Sequence, residues 1–388
     1  MNPLFRDMPT TIFEAMSARA RARGAINLGQ GFPDGPRCDR VIAAAARALE
    51  ERSNQYPPAT GLPELRGAVA RWYGRHQGLA LDPDEVVITS GATEALAASL
   101  LALIRPGDEV LLFAPLYDAY LPLVERAGGT AKVLRLALPS GRIDREAFDA
   151  AIGPATRLLV FNDPLNPLGT RAHPDDLAFL AERCAAHDLV AICDEVWEAL
   201  VYDGGAHRSL MACPGMRERT VKIGSAGKIF GLTGWKVGWM CAAPPLARVL
   251  AKAHQFLTFT TPPNLQWALA EGLENEDAWI ATARDQHQAS RDVLSGGLAA
   301  LGLVPLPSAA TYFVSVDLAA SGIAADDTAF CEAIIDRAGV AAIPVSAFFA
   351  SEPATHLVRF CFAKERATLD AALARLGEAL AVPGLLRG

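Results

Sequence analysis

The chain is poor in charge and lacks the spacings that hold metals. Of its 388 residues only 20% are Asp, Glu, Lys or Arg, against 51% apolar ones, a balance that excludes a disordered, solvating chain. No uninterrupted apolar run reaches the roughly 18–20 residues that span a bilayer. The best candidate, Ala95 to Ile104, stops at Arg105-Pro106-Gly107-Asp108. The 36 Lys and Arg against 43 Asp and Glu give a net charge of −7 without a long run of either sign. A basic footprint for nucleic acid or a membrane surface is therefore missing. The seven cysteines, scattered from Cys38 to Cys361, include no C-x-x-C pair, and most lie in apolar strings such as Ala191-Ile192-Cys193. They read as buried free thiols. The seven histidines show no H-E-x-x-H spacing, and no metal site is expected. At the N-terminus Arg6, Asp7 and Glu14 break up any apolar signal core. Arg19, Arg21 and Arg23 suggest a transit peptide, but a structural motif follows almost at once. The reading is cytoplasmic.

By length, roughly 100–200 residues per domain predicts about two or three domains. No internal repeat or low-complexity linker is present. From about residue 85, short β-rich runs alternate with amphipathic helices. Strands are expected at Val86–Thr89, Glu109–Phe113, Arg157–Phe161, Leu189–Cys193, Val221–Ile223 and Val237–Cys241, with helices at Ala92–Ile104, at Tyr117–Ala127 and from Pro174. The strands are continuously apolar, as in a mainly parallel sheet covered on both faces. After about residue 285 the pattern becomes α+β: a long helix at Asp277–Leu301, strands at Val304–Leu306, Tyr312–Val316 and Leu357–Phe362, and helices at Asp327–Arg337 and Lys364–Leu380. A large domain over 50–285 is expected. A smaller one would combine 1–49, including the helix Asp39–Arg52, with 286–388.

Several short segments fall where strands give way to helices, the place where open α/β sheets bind ligands. Ser90-Gly91-Ala92-Thr93 suits a phosphate at a helix N-terminus, and it is equally an ordinary cap. Asn166-Pro167-Leu168-Gly169 forms a rigid turn whose Asn both donates and accepts. Asp194 follows an apolar strand and either balances a buried cation or caps a turn. Gly224 to Gly238 packs five glycines and two lysines against a strand end. Such a turn lets backbone approach a ligand closely, and Lys228 beside it could form a Schiff base. Arg359 sits in the apolar strand Leu357–Phe362. Its planar fork matches either a ligand carboxylate or an acid of the protein itself.

In this order the segments resemble the fold type I, class I/II aminotransferases that use pyridoxal 5′-phosphate. The resemblance runs from Asn27-Leu28-Gly29-Gln30-Gly31 through Asn54-Gln55-Tyr56 to the Arg359 strand. Gly-Ser-Ala-Gly-Lys with Thr-Gly-Trp-Lys-Val-Gly-Trp is most similar to the branch of kynurenine aminotransferase, glutamine transaminase K and methionine aminotransferase. That likeness implies an α/β large domain with a mainly parallel seven-stranded sheet, a smaller α+β domain, and a homodimer with shared sites. It implies that Lys228 anchors the cofactor and serves as general acid/base, and that Asp194 faces the pyridine nitrogen. Tyr117 would stack on the ring and Asn166 would bond the phenolic oxygen. Ala92, Thr93, Ser225 and Lys236 would hold the phosphate, with Tyr56 reaching the phosphate of the neighbouring subunit. Arg359, Asn166 and the Gly31 backbone would bind the substrate carboxylate. Phe13 and Phe259 match aromatic positions of the substrate pocket.

Two departures stand out. Trp197 occupies the place of the family's usual Tyr, and Leu168 that of the usual Thr. An indole donates but does not accept, which changes that corner of the cofactor site. The implied reaction moves the amino group of an aromatic, methionine or glutamine-like L-amino acid to a 2-oxo acid. The alternatives are a carbon–sulfur β-lyase on the same scaffold and a non-catalytic cofactor-binding regulator. The regulator reading expects an added DNA-binding domain, for which there is no room before Asn27.

Overall fold

The computed structural model describes residues 3–382. Its centre is an eight-stranded sheet, formed by β1 (Val86–Thr89), β2 (Glu109–Ala114), β3 (Thr130–Ala137), β4 (Arg142–Ile143), β5 (Thr156–Asn162), β6 (Val190–Asp194), β7 (Thr220–Ser225) and β8 (Gly238–Cys241). The spatial order is β1-β8-β7-β6-β5-β2-β3-β4. From β7 through β6, β5 and β2 to β3 every pair is parallel. β8 runs antiparallel between β7 and β1, and β4 closes the other edge as an antiparallel partner of β3. The inner strands are buried along almost their whole length, which is why they read as apolar runs and not as alternating ones.

The expectation of seven strands is corrected to eight by β4, a two-residue edge piece joined to β3 through Ser140 and Gly141. Two residues carry no readable periodicity. The strand β3 carries no readable pattern either: only one of its eight residues is fully buried. The second helix begins at Tyr120 instead of Tyr117, because Tyr117 to Tyr120 forms a turn closed by Tyr120 N–H donating to Tyr117 O at 3.1 Å.

A second, antiparallel sheet holds β9 (Val304–Pro305), β10 (Phe313–Asp317), β11 (Ile343–Pro344) and β12 (Leu357–Cys361) in the order β9-β10-β12-β11. The helices Asp277–Ala300, Asp327–Ala338 and Arg366–Leu380 pack around it and on one another. The N-terminal segment joins here: Ile26–Asn27 pairs in parallel with Val340–Ala341, and the helix Ile12–Arg23 lies on Asp327–Ala338.

The helix Asp39–Glu51, expected on this side, packs instead on Pro263–Asn275. Its buried residues Val41, Ala44, Ala45 and Ala48 recur at helical spacing. They share a hydrophobic cluster with Leu65, Val69 and Trp72 of the helix Pro63–Gln77, beside the large sheet.

Candidate active site

The strands of the large sheet that deliver candidate residues all end on one edge of it. Thr89 closes β1, Asn162 closes β5, Asp194 closes β6 and Ser225 closes β7. Beyond that carboxyl edge lies a cavity of about 450 Å³, where a ligand of an open α/β sheet belongs. β10 and β12 of the second sheet close it from the other side through Phe313 and Arg359. Of the residues singled out in the sequence, Phe13, Gly31, Ala92, Thr93, Tyr117, Asn166, Asp194, Ser225, Lys228, Lys236 and Arg359 all line this cavity. Tyr56 and Phe259 do not: they meet edge to face at 5.4 Å outside it, and Tyr56 is 81% exposed.

Lys228 rides on a single helical turn, Ala226–Ile229, directly after β7. Its Nζ donates to Gly31 O at 3.1 Å and lies 4.4 Å from the centre of the Trp197 ring. Burial pushes its ammonium down to about 8, and Arg359 and Lys236 act in the same direction against Cys361 and Asp194. An amine so placed is uncharged in about a tenth of molecules at pH 7, far more than an ordinary lysine, as a nucleophile and proton carrier needs.

Asp194 is 6% exposed. Its Oδ2 accepts from the Tyr120 hydroxyl at 2.7 Å, while its Oδ1 is buried without a partner. Burial raises its carboxyl above the ordinary range, against the hydrogen bond from Tyr120. A buried, half-satisfied carboxylate needs a donor or cation opposite it.

Arg359, wholly inside β12, donates through Nη1 to Asn166 Oδ1 at 2.8 Å and through Nη2 to Gly29 O at 2.6 Å. It stacks 3.8 Å above the Phe313 ring, and its Nε is buried without a partner. Burial pushes its guanidinium down to about 9, still a cation at neutral pH. Of the two readings left open for it, an internal salt bridge is not what the fold provides: the neighbours that bind it are an amide and a carbonyl. Gly31 has to be glycine, because a Cβ there would stand 2.7 Å from Phe313 Cζ.

At the opposite end the helix Ala92–Leu103 begins after Gly91, whose φ is +80°. Its first-turn amides have no partner within the helix. Lys236 reaches the same corner: its Nζ would lie 3.5 Å from a Cβ placed on Gly91. Its own backbone is held at φ +54°, a conformation costly for a residue with a side chain and frequent at ligand sites. Free amides, a helix N-terminus and an ammonium together make an anion cradle.

Three contributors went unread in the sequence. Tyr120 holds Asp194 and has no motif around it except its position one helical turn after Tyr117. Asn162, whose Nδ2 donates to Asp194 O at 2.8 Å, sits at a strand end just as Asp194 does. Phe313 forms the floor under Arg359. Trp197 is 4% exposed and wedged edge-on against Tyr312 and Phe313. Its ring faces Lys228 Nζ, where the family's usual residue would present a hydroxyl.

Immediately behind the site, Glu195, Glu198 and His207 bring their ligand atoms within 4.8 Å of one another. The place a metal would take is filled by Lys222 Nζ, which donates to both glutamates. Burial pushes Glu195 up, but Lys222 and His207 outweigh it and hold it at about 2.

A cavity with a lysine, a half-satisfied acid, a buried arginine and an anion cradle is that of a fold type I pyridoxal-phosphate enzyme, and the orphaned Asp194 Oδ1 fits a protonated ring nitrogen. The chain belongs to the class I and II aminotransferases, whose family model matches residues 23–376. It is similar to the probable N-succinyldiaminopimelate aminotransferase DapC of Mycobacterium tuberculosis, at 44% identity over 384 residues and 96% of each chain. It is similar also to the methionine aminotransferase of Escherichia coli, at 41% over 370 residues and 95% of each chain. The solved structure of the Mycobacterium tuberculosis N-succinyldiaminopimelate aminotransferase superposes with a TM-score of 0.93 at 43% identity, covering 97% of this chain and 99% of that one. The methionine branch was foreseen in the sequence; the N-succinyldiaminopimelate enzymes were not. The protein is a pyridoxal-phosphate-dependent aminotransferase.

Proposed function

We propose that this aminotransferase takes its amino group from an L-amino acid with a neutral aromatic, thioether or amide side chain and passes it to a 2-oxo acid. One observation carries the reading: Lys228, Asp194 and Arg359 line a single cavity whose three cations already have tasks. Lys236 serves the phosphate corner, Lys228 the chemistry and Arg359 the α-carboxylate. Phe13, Phe313, Val196 and Leu96 make part of the remaining wall apolar, beside the uncharged Thr11 and Gln30, which suits an uncharged side chain.

Bound pyridoxal phosphate supplies an aldehyde that captures amines and a ring that draws electrons from the substrate's α-carbon. The protein does the rest. Lys228 Nζ would hold the cofactor and would move the proton at the substrate's α-carbon. Asp194 Oδ1 keeps the ring nitrogen protonated by charge, and Tyr117 covers the ring face. The Ala92 and Thr93 amides, Ser225 and Lys236 bind the phosphate. Arg359 and Asn166 fix the carboxylate, so that only the α-carbon's remaining bonds face Lys228.

We read the working form as a cytoplasmic homodimer. The support is Tyr56 and Phe259, which form an exposed aromatic pair outside the cavity of their own chain, beside Phe256 at 86% exposure. A face of this kind suits a second subunit.

A second reading follows from the 44% identical relative: the donor is a succinylated diamino acid, which needs a cation for its distal carboxylate. The deciding experiment follows the cofactor's absorbance as single amino acids are added. Methionine, phenylalanine and glutamine should discharge the yellow form, with N-succinyldiaminopimelate far slower. If N-succinyldiaminopimelate alone reacts, the neutral-side-chain reading fails. Pyruvate and ammonia from cystathionine would instead mark a β-lyase.

A further inference from the structure

Asp194 and Tyr117, two residues assigned above to the cofactor, both touch Tyr120. Tyr120, 3% exposed, is the first residue of the helix Tyr120–Arg126. Its hydroxyl donates to Asp194 Oδ2 at 2.7 Å. Its ring meets the Tyr117 ring edge to face, with centroids 5.8 Å apart and planes at 75°. The Asp194 main chain is pinned as well, its carbonyl accepting from Asn162 Nδ2 at 2.8 Å and from Asp163 N–H at 3.2 Å. With the backbone and one carboxylate oxygen held, the second oxygen has one direction left, and it is the oxygen without a partner.

The chemistry of the pair runs one way. A buried carboxylate tends to pick up a proton, and a hydroxyl donor on it favours the charged form. Tyr120 does not compete for that charge, because burial pushes its own ionisation far up. Among the groups around Asp194, Lys228 favours its ionisation and Glu195 opposes it. Asp118 and Tyr117 line the same cavity. Tyr120 is the side-chain hydrogen-bond donor on the carboxylate, and the Val196 backbone N–H favours the charged form beside it.

We propose that Tyr120 is a positioning residue for the cofactor: it keeps Asp194 charged with Oδ1 turned toward the ring nitrogen, and it braces the Tyr117 ring that covers the cofactor's face. The inference rests on the cofactor lying between Asp194 and Tyr117, as in the function proposed above.

The test uses purified holoprotein and pyridoxal phosphate as the probe, with equilibrium dialysis for affinity and absorbance for the state of the bound cofactor. Tyr120→Phe removes the hydroxyl and keeps the ring. Losing a hydrogen bond to a charged group should weaken binding about tenfold or more. The pH below which the bound cofactor's absorbance changes should rise, because Asp194 is then protonated more easily. Tyr120→Leu removes the brace too and should bind more weakly than Tyr120→Phe. In an Asp194→Ala background Tyr120→Phe should cost less than about twofold, since the two residues act as one unit. Circular dichroism of each cofactor-free variant checks the fold. Wild-type affinity and pH profile in Tyr120→Phe would overturn the proposal, as would an equal loss in both backgrounds. Unchanged binding in Asp194→Ala alone would remove the placement on which the proposal rests, a separately readable failure.

Discussion

Lys228 pays for its reactivity in stability, and the cost has a sign that can be checked. Its amine titrates near 8 in the folded protein because of burial, against about 10.4 in an unfolded chain. Between those values the unfolded chain binds the extra proton, so stability of the cofactor-free protein rises as pH climbs from about 8 to about 10.5. Lys228→Met, which needs no proton, should therefore lose turnover yet unfold about 3 kcal/mol later at pH 7, with the gain vanishing above pH ~10.5. Urea unfolding at several pH values measures both. Trp197 adds a further residue-level feature: its π face toward Nζ favours the charged amine, where a tyrosine would offer a hydroxyl. The chemistry of Lys228, Asp194 and Arg359 was legible because each interrupts or ends an apolar run. Tyr120 was not, because its partner lies 74 residues away in the chain and only the folded sheet brings the two together.

At the level of elements, the turn after β6 is held from behind by buried charge. Lys222 of β7 donates to Glu195 and Glu198, Ser209 Oγ donates to Glu195 Oε1, and Tyr73 OH and Gln77 Nε2 donate to Glu198. Thus β6, β7 and the helix Pro63–Gln77 share one network, and Asp194 is the residue just before it. Lys222→Ala leaves buried Glu198 without its cation and Glu195 with His207 alone, and should cost about 3–5 kcal/mol in urea unfolding. A loss below 1 kcal/mol would show that water or rearrangement satisfies the glutamates. The strands themselves were legible as apolar runs at β2, β5, β6 and β7. β3 and β4 were not, since β4 is two residues long and covers only the end of β3, whose faces stay partly wet. The helix Asp39–Glu51 was recognised by its pattern and misplaced in space: amphipathic spacing shows that a helix buries one face but not which neighbour it meets.

For the whole molecule, the proposed shared-site dimer makes a quantitative prediction. If Tyr56 serves the neighbouring site, Lys228→Met and Tyr56→Ala subunits inactivate different halves of it. Each mixed dimer then regains one intact site, and random reassembly of equal amounts should recover about a quarter of wild-type activity. Recovery no greater than the sum of the two parents would place Tyr56 outside the partner's site. All seven cysteines are free and buried, with Cys38 and Cys241 in the cluster beside the helix Pro63–Gln77 and Cys331 and Cys361 around the second sheet. A thiol reagent therefore meets almost nothing on the native surface and labels only what opens. The protein carries its own set of stopwatches: mass spectrometry of timed alkylation should show which half breathes first, and added cofactor should slow Cys361, next to Arg359, more than Cys38.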